Sequence, residues 1–477
     1  MQTKSTKVVH ASKVYLLAGI VSLFGVVSCD SSGGGSGPTG PDIPEGAIGI
    51  SSVEELQNIG KADKFPLDGE YVIVEDIQAD PTSDWNDGNG FEPIGSGRKP
   101  FTGILDGNGH IIYDININRE DTSGVALISS IKDAKLRNVV LKSVDIKGSD
   151  GVGGLVGFSC SSEITRCKVN GSVVGTQKGD NNSGVGGLIG YSGSPTACYG
   201  ESIIDSSSTS VTVKGIEKVG GLVGWNAENS EIRSSSTSGN VIGDQSVGGI
   251  AGANMTIGST SNPPIIKKSF TDATVSGKKN VGGLAGFQRS GALISKSYSE
   301  SKVSGENNVG GLAGEIIFEG RIKKSFSDGS ISGNDDIGGL VGVISGGSVT
   351  NSYSKSEVRG EKDVGGAVGS VSGYTTISEV YSSGNVSGEY YVGGFIGKNV
   401  EATSNQPIIS SGYWDIEATG QTEGIARIVR SGQGESGVPI GLTTDQITGE
   451  SAENMDLDFQ DIWQTVKDDY PALQWEE

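Results

Sequence analysis

The sequence predicts an all-β fold, a right-handed parallel β-helix (β-solenoid) of about ten or eleven coils with small caps at both ends. The first observation behind this prediction is a hexapeptide, Val-Gly-Gly-Leu-Val-Gly, that recurs nine times with little change. The copies start at Val152, Val185, Val219, Val247, Val281, Val309, Ile337, Val364 and Val392. Successive copies lie 27 to 34 residues apart, which gives a unit of about 28 residues and three units with insertions. A repeat of this length is typical of stacked arrays.

The second observation is the anatomy of the unit. In every unit an aliphatic residue lies eleven positions before a glycine, and in all but the last a β-branched residue lies two positions before that glycine. Short β-branched runs that end in Gly, Asn, Asp or Ser indicate strands and turns. The unit is therefore predicted to form three short strands, for example the hexapeptide at 337–342, then 349–353 and 357–360, on three faces of one coil. Stacking such coils buries the apolar face that a single unit leaves open.

Residues 1–28 are predicted to be a lipoprotein signal peptide. Three lysines form a basic start, an apolar run extends from Val14 to Val27, and Val-Val-Ser-Cys ending at Cys29 resembles a lipobox. A diacylglycerol on Cys29 would anchor the chain to a membrane. We therefore expect a bacterial cell-envelope protein, an outer-membrane lipoprotein facing the cell surface, although Asp30 favours inner-membrane retention by analogy with enterobacterial sorting. The alternative is an ordinary signal peptide with an accidental cysteine.

The rest of the chain divides into a tether, two caps and the solenoid. The predicted segments are a Gly/Ser/Pro-rich tether at 29–49, an N-terminal cap with the first coils at 50–118, the repeat solenoid at 119–412 and a C-terminal cap at 413–477. In the N-terminal cap, Ser51 or Ser52 is expected to cap a short helix, and 71–74 reads as a strand. The C-terminal cap departs from the repeat and contains a candidate helix near 444–455. Caps are required because an open first or last coil exposes unpaired backbone groups.

These repeats resemble a known family. The hexapeptide followed by segments such as Gly-Ser-Val-Thr-Asn-Ser-Tyr-Ser at 347–354 resembles the GLUG-motif repeat of bacterial surface proteins. The stretch 91–109, with Phe-Glu-Pro-Ile-Gly and Gly-Ile-Leu-Asp-Gly-Asn-Gly, resembles the segment that usually precedes such repeats, and 413–415 and 441–444 resemble the usual closing segment. The likeness covers roughly residues 50 to 475. It implies the solenoid fold and a secreted or surface-attached protein, often regarded as adhesive.

Composition and charge exclude several partners. Glycine makes up 78 of the 477 residues, which suits tight turns, and the formal net charge is −21. Removal of residues 1–28 leaves 33 basic and 57 acidic residues, a net charge of −24. Such a surface argues against nucleic acid as a partner and against binding anionic lipid through the folded surface. The membrane partner is therefore expected only through the N-terminal lipid anchor.

Three cysteines follow Cys29. Cys167 takes the position that serine holds in six other units, which predicts a small buried residue. An odd number of cysteines leaves at least one thiol free unless it pairs between chains. A bridge between Cys160 and Cys198 stays open at this stage.

The search for catalytic residues finds few candidates. His110 is the only histidine after the signal segment, and His-Glu-x-x-His is absent. Carboxylates that could serve glycoside chemistry or calcium binding occur mostly in turns, where acidic residues are ordinarily solvated. They are Asp80, Asp84, Asp87, Glu92, Asp106 and Asp114 near the N-terminus, and Asp335, Asp336 and Asp363 in the repeats.

The predicted function is therefore a non-enzymatic cell-surface lipoprotein whose β-solenoid serves adhesion or binds a glycan or protein ligand. No cofactor, no metal site and no catalytic residue is assigned. The alternatives are a carbohydrate-active β-helix enzyme, such as a polysaccharide lyase or glycoside hydrolase, and a structural stalk of a surface assembly.

One row of side chains is the candidate ligand-binding surface. Four positions after the recurrent aliphatic, six successive units carry Phe270, Tyr298, Phe326, Tyr353, Tyr381 and Tyr413. Stacked coils would align these rings in a stripe about 25 Å long. Strand parity predicts that the stripe faces outward, because the small residue before each ring shares the parity of a β-branched residue expected in the core. The alternatives are a self-stacking ladder that only stabilises the coils, or a turn that breaks parity and buries it.

Overall fold

The computed structural model describes residues 43–176, 184–193, 198, 200–257, 262–401, 406–430 and 437–476. The predicted signal peptide, Cys29 and most of the tether lie outside the described residues. The described part forms a parallel β-solenoid of about 11 turns, which confirms the predicted fold class. Every strand pair in the coils is parallel, and antiparallel pairing among the described residues is limited to one C-terminal hairpin and two isolated bridges. The right-handed sense of the coil stays a prediction.

Each complete repeat contributes to four stacks of strands, here named A to D in chain order. Stack A contains Val152–Gly153, Val185–Gly186, Glu217–Gly220, Gln245–Gly248, Lys279–Gly282, Asn307–Gly310, Asp335–Gly338, Lys362–Gly365 and Tyr390–Gly393. Stack B contains Ile128–Lys132, Val156–Cys160, Ile189–Ser192, Val223–Asn226, Ala251–Met255, Ala285–Arg289, Ala313–Lys323, Val341–Ser354, Val368–Ser372, Ile396–Glu401 and Ile425–Arg430. Two of these, Ala313–Lys323 and Val341–Ser354, continue into stack C.

Stacks C and D complete the coil. Stack C contains Ile48–Ile50, Glu70–Ile73, Ile104–Asp106, Lys135–Arg137, Glu163–Thr165, Ser202–Asp205, Ser230–Arg233, Ile265–Lys267, Leu293–Ser295, Thr376–Ser382 and Ile408–Asp415. Stack D contains Ile77–Gln78, Ile111–Tyr113, Asn116–Ser123, Val140–Asp150, Lys168–Gly175, Ser208–Lys214, Ser236–Ile242, Phe270–Thr271, Thr274–Ser276, Tyr298–Ser299, Lys302–Ser304, Phe326–Ser327, Ser330–Ser332, Glu357–Arg359, Val386–Ser387 and Ile440–Leu442.

The hexapeptide is not the single strand that the sequence predicted. Its first two residues end a strand of stack A, the chain turns at the second glycine and the leucine, and its last two residues begin stack B. The glycines are required by space. A β-carbon on Gly310 would overlap the carbonyl oxygen of Ala313, and one on Gly311 would overlap the carbonyl oxygen of Gly339 in the next coil. The overlap at the first glycine recurs in every copy, and that at the second recurs in every copy but the last, where the Trp414 side chain fills the space at Gly394. This crowding explains why the motif tolerates so little change.

The core is a set of aliphatic columns. The residue after the glycine pair points inward in each repeat and is fully buried: Leu155, Leu188, Leu222, Ile250, Leu284, Leu312, Leu340, Ala367 and Phe395. It packs against the first valine of the hexapeptide and against the recurrent isoleucine of stack C, all in one continuous cluster. Each buried aliphatic side chain of this size stabilises the fold by about 1.5–3 kcal/mol relative to an exposed one.

A second inner column is polar and joins stacks C and D. Its members are Cys167, Ser207, Ser235, Ser269, Ser297, Ser325 and Ser352, all buried. The hydroxyl of Ser269 donates to the carbonyl of Lys267 at 3.0 Å and accepts the backbone N–H of Ser235 at 3.3 Å. The residue before each member has a left-handed backbone, as in Lys268 with φ 49°. The serine hydroxyl therefore satisfies backbone groups that this turn removes from the strand ladder.

The cysteines match the sequence analysis. Cys167 is buried in the serine column, and burial raises the pKa of its thiol to about 12, so it packs as a small unreactive side chain. Cys160 and Cys198 form a disulfide with a Cα–Cα distance of 5.3 Å, which decides the pairing that the sequence left open.

Both expected caps contain the predicted local structure. Ser52 accepts a hydrogen bond from the backbone N–H of Glu55 and caps the helix Val53–Gln57, and the strand Glu70–Ile73 follows. The other short helices are Asp80–Asp84, Ile416–Thr419, Thr444–Ile447, Gly449–Asn454 and Gln474–Glu476, and the C-terminal hairpin is Trp463–Val466 with Asp469–Leu473. Within the ranges that the structure describes, no helix is long and apolar enough to cross a membrane.

We expect Gly310→Ala to destabilise the solenoid strongly, because backbone atoms of Ala313 and of the next coil occupy the space of the new methyl group. Overpacking of this kind costs about 3 kcal/mol. Gly97→Ala is the matched control, since nothing lies within 4 Å of its β-carbon position. Thermal unfolding followed by circular dichroism checks this, and equal melting temperatures for the two variants would contradict it.

Candidate ligand-binding site at the end of an aromatic ladder

Six aromatic side chains form one ladder. They are Phe270, Tyr298, Phe326, Tyr353, Tyr381 and Tyr413, and each pairs in register with the next. The first three lie in strands of stack D, and the last three lie near the ends of the strands Val341–Ser354, Thr376–Ser382 and Ile408–Asp415, which run on from stack C. The first five rings stack with centroids 4.9 to 5.2 Å apart and planes within 5° of parallel. The single stripe predicted from the repeat is therefore present, and stacking of this kind adds about 0.5–1.5 kcal/mol per pair beyond burial.

The ladder points away from the solenoid core, as parity predicted. Ser269, which precedes the first ring, and Val275 are fully buried. Tyr353, Tyr381 and Tyr413, by contrast, belong to a hydrophobic cluster separate from the main core. Two positions after the first three rings come exposed acidic residues, Asp272, Glu300 and Asp328. Burial, together with the neighbouring Asp328 and Asp272 carboxylates, raises the pKa of Glu300. One side of the ladder is therefore lined by a crowded acidic column.

The C-terminal cap covers the far half of the ladder. The hydroxyl of Tyr381 donates to the carbonyl of Pro471 at 2.6 Å, and that of Tyr353 donates to Glu476 Oε2 at 2.8 Å. Tyr413 accepts the backbone N–H of Asp456 at 2.7 Å. The indole of Trp463 lies 5.8 and 6.0 Å from the two nearest ladder rings.

This cover corrects part of the predicted binding surface. Tyr353, Tyr381 and Tyr413 are 2%, 0% and 5% exposed, so they cannot contact a ligand while the cap is in place. Their rings serve as the docking surface for residues 444–476 instead. Phe326 is half-buried with Trp475 at 6.0 Å, which leaves Phe270 and Tyr298 as the accessible rings.

The ladder ends at Phe270, and its open end faces a groove. Phe270 stacks on Tyr298 through one face, while the residue in register on its other side is Ser236, followed by Ser208 and Lys168 in the preceding coils. The small serines leave the space of the missing rings as a groove of about 470 Å³. The groove is lined by Val140, Leu141, Lys142, Lys168, Val169, Asn170, Ser208, Thr209, Ser210, Ser236, Thr237, Ser238, Phe270 and Asp272.

This groove combines a free aromatic face with hydroxyl, amide and ammonium groups. Phe270 is 37% exposed, which is high for a phenylalanine in a regular strand. The change from serine to phenylalanine at this column is visible in the sequence, but the recess that it creates was not predicted. The signal in the sequence is the switch from small to large residues in this column, because the small residues leave an empty space beside the last large ring.

The ladder rings offer no acid–base chemistry near neutral pH. Burial, followed by the charges of Glu300 and Asp272, raises the pKa of Tyr298 to about 12. Burial also raises the pKa values of Tyr353 and Tyr381 well above the ordinary value. All three phenols are therefore neutral and act as stacking surfaces and hydrogen-bonding groups.

A second cluster of interest contains the carboxylates Asp335, Asp336 and Asp363, whose oxygens lie within 4.8 Å of one another. Three cations already lie against them. Lys362 is 2.9 Å from Asp335, Lys398 is 3.5 Å from Asp336, and Arg427 is 2.9 Å from Asp363. The carboxylates are thus balanced by an ion-pair network, which a calcium ion would have to displace.

Three other candidate acid–base residues lie in structural contacts. Asp106 accepts hydrogen bonds from Arg137 at 2.6 Å and Asn138 at 2.9 Å, and these bonds lower its pKa although burial opposes the shift. Glu92 pairs with Lys61 at 2.6 Å, which lowers the pKa of Glu92. His110 lies 3.4 Å from Asp76, a partner that the sequence did not reveal.

No model of a known protein family matches the chain. A segment of 111 residues, 23% of the chain, is 39% identical to halomucin from Haloquadratum walsbyi, and the match spans 1% of that protein's length. A crystal structure of a putative immunoglobulin A1 protease from Bacteroides ovatus is similar over 91% of this chain and 94% of that chain, with 16% identity and a TM-score of 0.31. Neither similarity assigns an activity to this chain.

We expect the cap to loosen with rising pH because of Glu476. Burial raises the pKa of Glu476 above its ordinary value of 4.5, so the folded state binds this proton more tightly than the unfolded state. The associated stability is present below the ordinary value and is lost as pH rises through the folded-state value. Glu476→Gln, which stays neutral, should lose less stability than the wild type over that window.

Melting temperatures measured at intervals from about pH 4 to about pH 7 test this linkage. Glu450→Gln, which replaces an exposed carboxyl group of the same cap, is the control. Parallel curves for wild type and Glu476→Gln would show that the carboxyl of Glu476 does not titrate differently in the fold.

Proposed function

We propose that this protein is a non-enzymatic, surface-displayed β-solenoid that binds glycans in the groove at Phe270. The observation that carries the proposal is the free ring face of Phe270 above a recess lined by serine, threonine and asparagine. Aromatic rings stack on the apolar faces of sugars, and hydroxyl and amide groups hydrogen-bond their substituents. The recess also runs along a column of the solenoid, so it suits an extended chain better than a compact ligand.

Adhesion rather than catalysis is proposed because of what surrounds the groove. The groove's only lining carboxylate is Asp272 among the residues that the structure describes. Glycoside hydrolysis ordinarily needs a pair of carboxyl groups about 5–10 Å apart across the scissile bond. The carboxylates Asp106 and Asp363 each hold arginine side chains instead. A carbohydrate-active enzyme is thus the less supported alternative.

Membrane anchoring through Cys29 and membership of the GLUG-motif repeat family complete the proposal. Both rest on sequence: the apolar run followed by cysteine, and the repeated hexapeptide with its flanking segments. An outer-membrane lipoprotein at the cell surface would present the groove to external glycans, with the Gly/Ser/Pro-rich tether between lipid and solenoid.

We expect Phe270→Ser to weaken glycan binding about fivefold, because loss of one stacked ring removes about 1 kcal/mol. Serine already occupies this column at Ser236 and Ser208, so the solenoid should accept it. Tyr374→Ser is the matched control, since Tyr374 is 72% exposed and lies outside the ladder. A glycan array identifies ligands, and isothermal titration calorimetry measures their dissociation constants.

The result that would overturn the groove assignment is equal glycan affinity for wild type and Phe270→Ser. Absence of any glycan ligand, with capture of a defined surface protein that Phe270→Ser abolishes, would replace the glycan by a protein partner.

Anchoring has its own test. Cys29→Ala should abolish metabolic labelling with a palmitate analogue and release the protein from the membrane fraction, because several acyl chains are needed for a stable anchor. Cys167→Ala, which removes a buried thiol from the serine column, is the control and should leave labelling unchanged. A wild-type protein that carries no lipid on Cys29 would disprove the anchor.

A further inference from the structure

A second groove, of about 410 Å³, lies at the corner between stacks C and D, and its lining is basic. The lining residues are Arg233, Ser234, Lys267, Lys268, Ser295, Lys296, Lys323 and Lys324. None of these described lining residues is acidic, although the chain carries a formal net charge of −21. We refer to this surface as the lysine groove.

Its charge is only partly neutralised. Lys267 and Arg233 lie 2.8 and 3.4 Å from Glu231, and Arg233 also pairs with Asp205. The other four cations form no ion pair within the part of the chain that the structure describes: Lys268, Lys296, Lys323 and Lys324. Among the described residues, these four ammonium groups therefore line one groove without an ion-pair partner.

The groove follows from the register of the coils. Lys268, Lys296 and Lys324 occupy the same position in three successive coils, about 4.8 Å apart along the axis. In the adjacent position, Ser295 stands between Lys267 and Lys323. This small residue leaves the depression between the flanking lysines.

Local conformation does not favour lysine at this position. Lys268, Lys296 and Lys324 have φ of 49°, 49° and 51°, a left-handed region where asparagine, aspartate and glycine are preferred. Asn351, in the next coil, has the preferred type of residue at φ 50°. Lysine nevertheless occupies this position in three successive coils, where each ammonium group repels the next. This indicates that the positive charge has a function.

We propose that the lysine groove binds an acidic polysaccharide through its carboxylate or sulfate groups. An extended polyanion lying along the axis would place successive anionic groups against successive ammonium groups, which are point-charge donors suited to either anion. The choice of a polysaccharide rests on the proposed function, because Lys268 precedes Phe270 by two residues and Ser234 precedes Ser236 by two, so both grooves have lining residues on the same two coils. The acidic column at Asp272, Glu300 and Asp328 on the other side of the ladder would keep the anionic groups on the lysine side.

The test measures binding of the purified protein to polygalacturonate, dextran sulfate and uncharged dextran by biolayer interferometry at several salt concentrations. The triple variant K268N/K296N/K324N should weaken binding of at least one polyanion by tenfold or more and reduce the dependence of log affinity on log salt. Asparagine is chosen because Asn351 fits the same backbone. The two polyanions distinguish a carboxylate ligand from a sulfate ligand.

The control is K99S/K135S/K302S, which removes three exposed lysines outside the groove and so changes the net charge equally. It should alter polyanion affinity by less than twofold. Circular dichroism and melting temperature confirm that both variants are folded.

Three results would overturn the inference: equal polyanion affinity for K268N/K296N/K324N and wild type, equal losses in the two triple variants, or tighter lysine-dependent binding of a DNA duplex or of phosphatidylglycerol vesicles than of either polysaccharide. The proposed function fails separately. If Phe270→Ser leaves all glycan binding unchanged while K268N/K296N/K324N abolishes polyanion binding, the lysine groove stands and the groove at Phe270 does not.

Discussion

The parallel hydrogen bonds between coils hold equivalent residues about 4.8 Å apart, so each position of the repeat becomes a column along the axis. Each residue in this fold lies between the equivalent residues of the preceding and the next coil, and its size must suit both neighbours. The paired glycines of the hexapeptide are fixed in this way, since the carbonyl oxygen of the next coil fills the space of a side chain at Gly311. In the serine column, the same spacing lets each hydroxyl oxygen accept a hydrogen bond from the backbone N–H of the serine in the preceding coil.

The same register gives the outward aromatic ladder two different ends. Toward the C-terminus, Tyr353 and Tyr381 present a continuous apolar surface with hydroxyl groups at its edge, and the last 33 described residues fold back onto it. Their hydroxyl groups donate to Glu476 and to the backbone of Pro471, so the cover is fixed by polar contacts as well as by area. Toward the N-terminus the ladder stops at Phe270 and nothing described covers that ring's outer part. One column thus anchors the cap at one end and, in the function proposed above, supplies the ligand-binding ring at the other.

Periodicity was enough to predict the fold class and the columns, because both depend only on residues about 28 positions apart. The outward direction of the ladder followed from strand parity within the unit. Periodicity failed where the chain leaves the repeat. The contact between Tyr381 and Pro471 joins residues 90 positions apart in a segment with no repeat partner, so no pattern could show that the cap folds back. The hexapeptide was predicted as one strand, whereas it divides between two. The pattern of residue types does not show this turn, because the turn depends on backbone atoms that lie close to the glycines.

Columns also decide how charge is distributed. In this solenoid the coils align Lys268, Lys296 and Lys324, and the register keeps their backbones about one strand spacing apart although they are far apart in sequence. The acidic column beyond the ladder is aligned in the same way, and the raised pKa of Glu300 reflects that crowding after burial. The aromatic ladder therefore separates a positive from a negative column, although the protein as a whole is strongly acidic. The anionic ligand proposed above would be drawn by the local potential of one edge while the rest of the surface repels it, which would restrict both where and in which orientation it binds.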